Sequence, residues 1–421
     1  MRTDYYLEGN PATASRIIMS FATQTGKQQL LAKHDDDVVI CGALRSAVTK
    51  AKKGGLAQCA PEEMLGNVLK ALLAQTKVDP KLIEDVAIGN VLPPGGGATS
   101  ARQATLWAGI PNTAAVNTVN RQCSSGLATV NQIANEIVTG QISVGVAGGV
   151  ESMTQNYGAG VMPSKMSDTV QENQEAADCL LPMGITSENV AREFGVSREK
   201  QDAFAAESFR RAAEAQKAGK FKSEIVPIKY LDDDDKERFV EADDGIREGV
   251  TKESLAKLKP AFDANGVTHA GNASQVSDGA AAVLLARRSV AKKLGLPIVA
   301  KYCGGAVVGV PPNIMGVGPA FAIPRLLERA NLKTSDIDLY EINEAFASQA
   351  LFSVEKLGLD LAKVNPVGGA IALGHPLGAT GSRQIATALA EAKRSGQKFI
   401  VTSMCIGTGM GMAALIVNEQ N

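Results

Sequence analysis

A thiol stands where a strand gives way to a helix in NTVNRQCSSGLATVNQIANEI, residues 117–137. A β-branched run enters an Asn-Arg-Gln turn, Cys123 follows, and Ser-Ser-Gly opens a helix-like pattern. Unpaired N–H groups at a helix start favour an anion. A thiol placed there is predicted to have a lowered pKa and to act as a nucleophile. The plain alternative is a buried apolar cysteine, the commonest fate of a free thiol. His375 lies in NPVGGAIALGHPLGATGSR, residues 365–383, between a glycine and a proline just ahead of a second helix. The chain has three histidines, and His34 falls in a polar leader. With its backbone fixed, the His375 ring could serve as general base for a thiol; the alternative is a structural histidine in a glycine-rich turn. Cys405 precedes Ile-Gly-Thr-Gly-Met-Gly in TSMCIGTGMGMAAL, residues 402–415. Glycines this dense let backbone N–H groups approach a ligand and stabilise an oxyanion, or else pack a thiol beside a tight strand. In YEINEAFA, Asn343 offers two amide donors to a water or a carbonyl oxygen and Glu344 could orient a turn, with an ordinary helix N-cap as the competing reading.

Strands and helices must bring these groups together. DVVICGALRSAV, LIEDVAIGNVL and ISVGVAGGVESM read as containing strands, with helical segments such as APEEMLGNVLKALLAQTK between them. That alternation predicts βαβ units and a mainly parallel sheet, whose strands, covered on both faces, read as apolar runs. From about Gln155 to Gly271 the chain is more charged. SREKQDAFAAESFRRAAEAQKAGKF is its clearest helix, capped by Ser197 with Glu199 in the first turn. The acidic LDDDDKERFVEADDGIRE reads as a solvated loop. The second half repeats the first: IEDVAIGNVLP pairs with SDIDLYEINEAFA, CSSGLATVNQIANEI with GATGSRQIATALAEA, and SDGAAAVLLA with GTGMGMAALIV. Three matches in one order point to a duplication and to a cleft where the two halves meet at strand ends and helix starts.

Composition narrows the field. With 43 basic and 44 acidic residues the net charge of -1 suggests no nucleic-acid partner. No charge-free apolar run is long enough to predict a transmembrane segment. The six cysteines show no metal-type spacing, so no metal site is expected, and a reducing compartment is. The glycine-rich stretches lack a Gly-Lys-Ser/Thr ending and the strand–turn–helix context of GxGxxG, which argues against a dinucleotide site.

The chain resembles the thiolases, most closely 3-ketoacyl-CoA thiolases of the peroxisomal kind. The likeness rests on NRQCSSG, GGVESMT, MGITSENVA, GNASQVSDGAA, EINEAFA, NPVGGAIALGHPLGATG and CIGTGMGMAA, and runs from about residue 37 to 418. It implies an α/β fold of two duplicated halves stacked in five layers (αβαβα) with an inserted, mostly helical loop domain. The implied division is a flexible leader at 1–36, an N-terminal half at 37–154 and 272–301, a loop domain over the CoA site at 155–271, and a C-terminal half at 302–421. It implies that Cys123 is the nucleophile, His375 its base and Cys405 the second acid/base. Asn343, through a held water, and His375 would form one oxyanion site; the N–H groups of Cys123 and Gly407 would form the other. Ser274 matches a serine near the pantetheine of coenzyme A, and Glu344 is a supporting residue. The implied reaction is thiolysis of 3-ketoacyl-CoA by coenzyme A, a co-substrate, with no permanently bound cofactor. A homodimer, a peroxisomal import receptor as partner, and a peroxisomal location follow from the same likeness, with the mitochondrion as alternative. The family's N-terminal signal can start at Arg16-Ile17 but meets Thr23 and Gln24 at its last two positions, and VNEQN is not a Ser-Lys-Leu type ending. The rival readings are an acetoacetyl-CoA thiolase working mainly in condensation, a ketoacyl synthase, and a non-catalytic lipid carrier on the same fold.

Overall fold

A computed structural model describes residues 26–158, 165–231, 234 and 236–420. Its main sheet runs, edge to edge, through Leu339–Ile342, Phe399–Ile406, Met410–Asn418, Ala300–Gly309, Val38–Ser46, Ser277–Arg287, Val144–Ser152, Asp85–Gly89 and Ala115–Val119. The halves meet at Val38–Ser46 and Ala300–Gly309, which share only the pairs Val39–Lys301 and Ile40–Ala300. Outward from this seam each half repeats one sequence of pairings. Two antiparallel neighbours come first, and a parallel strand follows. The three repeats read from the sequence occupy equivalent places in the two halves.

The sheet is therefore mixed, where a mainly parallel one was expected. Both faces of every central strand are covered, so parallel and antiparallel strands give the same apolar run. Ser277–Arg287 and Met410–Asn418 are buried along almost their whole length although antiparallel to both neighbours.

Helix placement follows the two-residue alternation of the strands. In Val144–Ser152, Val146 packs outward with Met64, Leu65 and Val68 of the helix Pro61–Thr76. Its neighbour Ala147 packs inward with Leu127, Val130 and Ile133 of Ser125–Thr139. Ile385, Ala388 and Leu389 of Thr380–Ser395 join the same inner core, together with Ile400 and Met404 from the other half. The outer face of the C-terminal half is covered by Ile323, Leu326 and Leu327 of Gly318–Ala330 and by Val354 of Ala347–Leu357. The order is helix, N-terminal half of the sheet, helices, C-terminal half of the sheet, helix. Each fully buried Leu or Ile adds about 2 kcal/mol.

Residues between Ser152 and Ser277 carry the helices Met183–Phe194 and Arg198–Lys217, the latter capped by Ser197 as expected. This segment is fastened by buried ions. Arg45, fully buried, donates to Glu224 at 2.7 Å and to both oxygens of Asp243 at 2.6 and 2.8 Å. Removing one member of such a group costs about 3–5 kcal/mol. The acidic run is thus not simply a solvated loop: it contributes a hairpin, Ile228–Leu231 with Glu237–Val240, and buries Asp243. Residues 1–25 of the expected leader lie outside the described residues. In the described residues that follow, Gly26 N–H donates to Ala330 O and Leu30 is buried in the outer core of the C-terminal half.

Candidate active site

Three turns converge on the inner layer. The first carries Cys123. The strand Ala115–Val119 ends at Asn120, whose side-chain oxygen accepts from Gln122 N–H at 3.0 Å, while Ser125 Oγ accepts from Arg121 N–H at 2.9 Å. These local bonds hold Gln122 at φ 46° and deliver Cys123 to the start of Ser125–Thr139. The second turn carries His375 into Thr380–Ser395. The third is the Gly407–Gly409 hairpin between Phe399–Ile406, which holds Cys405, and Met410–Asn418.

Glycine lets the turns approach one another. A Cβ on Gly149 would lie 2.0 Å from Gly378 O, and one on Gly126 would lie 2.7 Å from the same oxygen. The His375 turn is thereby pressed, backbone on backbone, against the beginning of the Cys123 helix. No side chain fits between them.

The backbone N–H groups of Gly407 and of Cys123 itself face the thiol of the half-buried Cys123. They lower its pKa, but burial outweighs them and the nearby Glu151 carboxylate adds to the rise, leaving the thiol at about 11. Helix-start amides alone would lower the pKa, as expected from the sequence; the desolvation that comes with a site closed between two halves reverses the sign. His375 is buried, and burial followed by the charge of Arg383 pushes its pKa down to about 3. Its Nδ1 lies 2.7 Å from Thr380 Oγ1 and its Nε2 lies 3.3 Å from Asn343 Nδ2. Asn343 Nδ2 can only donate, so Nε2 is the unprotonated nitrogen and Nδ1–H donates to Thr380. A neutral imidazole with a free lone pair on Nε2 is the form required of a base.

Asn343 is fixed by its neighbours: its N–H donates to Ser403 O, and its C=O accepts from Gln349 Nε2 at 2.9 Å. Its Oδ1 has no hydrogen-bond partner among the described residues. Glu344 accepts from Ser208, Asn365 and Ile371 N–H, so its carboxylate braces the loop behind Asn343. Cys405 is fully buried and its thiol is raised by burial, then by Cys123 acting through space. Around it lie Ala273, Met315, Ala345, Phe346 and, from the inserted segment, Met183. Ser274 N–H donates to Ala345 O at 2.9 Å, which ties Ser274 to the same loop.

The structure thus sets Cys123 beside Gly407 and Cys405, sets His375 beside Asn343, and presses the His375 turn against the start of the Cys123 helix, while Ser274 is tied to the loop of Ala345. Thr380 and Glu151 went unremarked in the sequence. Thr380 could have been found as a hydroxyl one turn past a histidine. Glu151 could have been found as the one charge in the otherwise apolar VGVAGGVES. Among the described residues no group of three or more His, Cys, Asp and Glu side chains could hold a metal ion. No described helix is long and apolar enough to cross a membrane.

Two family models cover most of the chain: the thiolase N-terminal domain matches residues 38–289 and the thiolase C-terminal domain matches residues 296–418. The chain belongs to the thiolase family. A peroxisomal 3-ketoacyl-CoA thiolase of Yarrowia lipolytica is 59% identical over 398 residues, 94% of this chain and 96% of that protein. Peroxisomal 3-ketoacyl-CoA thiolase B of Rattus norvegicus is 56% identical, covering 90% of each chain. The dimeric peroxisomal thiolase of Saccharomyces cerevisiae superimposes with a TM-score of 0.88 at 53% identity, over 93% of this chain and all of that one.

Proposed function

We infer that this chain cleaves 3-ketoacyl-CoA with coenzyme A, giving acetyl-CoA and an acyl-CoA two carbons shorter, in peroxisomal fatty-acid β-oxidation. One observation carries the reading: a thiol faced by two amides lies beside a second buried thiol, and the turn of a neutral histidine is packed against the start of its helix. Cys123 is the nucleophile. At rest it is a thiol beside a neutral imidazole, so its proton passes to His375 Nε2 as sulfur attacks the 3-keto carbon. The charge that develops on that oxygen meets the N–H groups of Cys123 and Gly407. The C2–C3 bond then breaks. Its electrons enter the acetyl-CoA enolate, whose oxygen faces the Asn343 amide, through a held water, and His375. Donors placed there before reaction favour the enolate over the ground state. Cys405 protonates the enolate carbon. Coenzyme A next gives its proton to Cys405 and attacks the acyl group on Cys123; the C–S bond to Cys123 breaks, the shorter acyl-CoA leaves, and the Cys123 sulfur takes its proton back from His375.

The site residues support a division of labour along the chain. The halves at 37–154 with 272–301 and at 302–421 supply the chemistry, and 155–271 covers the CoA site, with Ser274 near the pantetheine. The enzyme works as a homodimer delivered by a peroxisomal import receptor. The test is thiolysis of a chain-length series of 3-ketoacyl-CoAs with free coenzyme A. Turnover extending to long chains is expected. Strong preference for acetoacetyl-CoA would shift the reading to an acetoacetyl-CoA thiolase, and absence of turnover with every chain length would overturn it.

A further inference from the structure

The duplicated halves cross twice in the inner layer, and only one crossing holds the nucleophile. Cys123 precedes the helix Ser125–Thr139, and its sulfur faces the amide of Gly407, just past the strand Phe399–Ile406 of the other half. Gly378 stands in the same relation to Thr380–Ser395. Its amide donates at 3.0 Å to Oε2 of Glu151, near the end of the strand Val144–Ser152 of the other half. The second crossing mirrors the first with donor and acceptor exchanged: helix-side sulfur on a strand-side amide in one, helix-side amide on a strand-side carboxylate in the other.

Glu151 is fully buried, and its partners are amides rather than a cation. Besides Gly378, it accepts from Val91 N–H at 3.0 Å and from Leu92 N–H at 3.1 Å. The Val91 residue looks both ways, since its carbonyl accepts from Asn120 Nδ2 at 3.1 Å, and Asn120 opens the turn that delivers Cys123. One carboxylate is therefore bonded to the turn of His375 and, through Val91, to the turn of Cys123. The carbonyl of Gly378 is pinned on its far side by Gly149 and Gly126. The charged and titratable groups that act on Glu151, or on which it acts, across space are Asp278 on the neighbouring strand and Cys123. A buried carboxylate without a cation is costly. A neutral amide of the same shape would offer a single acceptor oxygen to three donors.

We propose that Glu151 is a positioning residue of the thiolytic site: its carboxylate clasps the amides of Gly378, Val91 and Leu92 and so fixes the His375 turn against the Cys123 turn. This rests on the thiolytic reading for its catalytic consequence but not for its geometry. Glu151→Gln keeps the volume, removes the charge and leaves one donor unmatched. In the full-length enzyme kcat should fall about 10²-fold, the scale of a ~1 Å misplacement, while KM for both substrates stays within about twofold because Glu151 is fully buried and its partners are backbone amides. Removing the negative charge should also lower the pH midpoint of Cys123 alkylation by iodoacetamide, measured without substrate. A merely structural carboxylate would change the melting temperature without moving the kcat against KM split. Hydrogen exchange of the 374–380 segment in unmodified enzyme provides a check that needs no variant, and the Gly378 amide should be strongly protected. A folded Glu151→Gln enzyme with unchanged kcat and midpoint would overturn the proposal, as would exchange of Gly378 as fast as an exposed loop amide. If the unmodified enzyme lacks thiolysis, the functional reading fails alone, and exchange of the Gly378 amide still decides the clasp.

Discussion

In the N-terminal half the parallel neighbour of Asp85–Gly89 is a full strand, Ala115–Val119, and it leads directly to Cys123. In the C-terminal half the corresponding neighbour of Leu339–Ile342 has shrunk to one bridge, Tyr340 to Val364, on the way to His375. What replaces the ladder there is a lattice of side chains. Asn365, at φ 45°, accepts from Ile342 N–H and donates to Ile342 O and to Glu344, which in turn accepts from Ser208 and Ile371 N–H. One topology thus holds its working groups in two ways. The nucleophile is set by backbone pairing, and the base with its amide partner by buried polar contacts. A backbone ladder tolerates side-chain change, whereas a buried polar lattice fails when one member is left unpaired.

The contrast can be broken most severely at its nucleophilic pole. Cys123→Ala should reduce thiolysis by about 10⁴-fold or more in a steady-state assay, with the fold retained, since the residue acts as part of a unit. Next in size is the pH response of that thiol. Because burial holds it at about 11, its alkylation rate should rise by about 10³-fold from pH 7 to pH 10. A plateau near neutral pH would show a resting thiolate. On the acid side, a histidine held at about 3 remains neutral as pH falls from 7 to 5, so the ring-proton NMR shifts of His375 should not move over that range, while Glu151, which burial raises to about 7, takes up its proton there and lowers kcat. On the lattice side, Asn343→Ala should lower kcat by about 10²-fold, the worth of one oxyanion donor. The mildest change, Thr380→Val, removes the partner of His375 Nδ1 and should cost about tenfold in kcat, the scale of one neutral hydrogen bond.

What could be read beforehand follows the same contrast. The helix starts and strand ends that carry Cys123, His375 and Cys405 were legible because turn residues and apolar periodicity are local signals. The five layers were not; they came from resemblance, since the covering of both sheet faces leaves no mark of strand direction. The lattice was also hidden. Asn365 and Ser208 are ordinary polar residues until the fold places them beside Glu344, and Asp243 looks like part of an exposed acidic run until Arg45 is buried against it. The sign of the Cys123 shift was missed for the same reason: helix-start amides can be inferred from neighbours in sequence, but desolvation depends on the opposite half.

The most direct measurement is of where the acyl group rests. Enzyme mixed with a 3-ketoacyl-CoA, with no free coenzyme A added, should be quenched in acid, digested and weighed by mass spectrometry. The expected result is one acyl group, two carbons shorter than the substrate chain, on the peptide beginning at Gln122 and lost when coenzyme A is added before the quench. An acyl group on Cys405 or on any other side chain would contradict the assignment of Cys123 as nucleophile, and so would full turnover without any covalent intermediate.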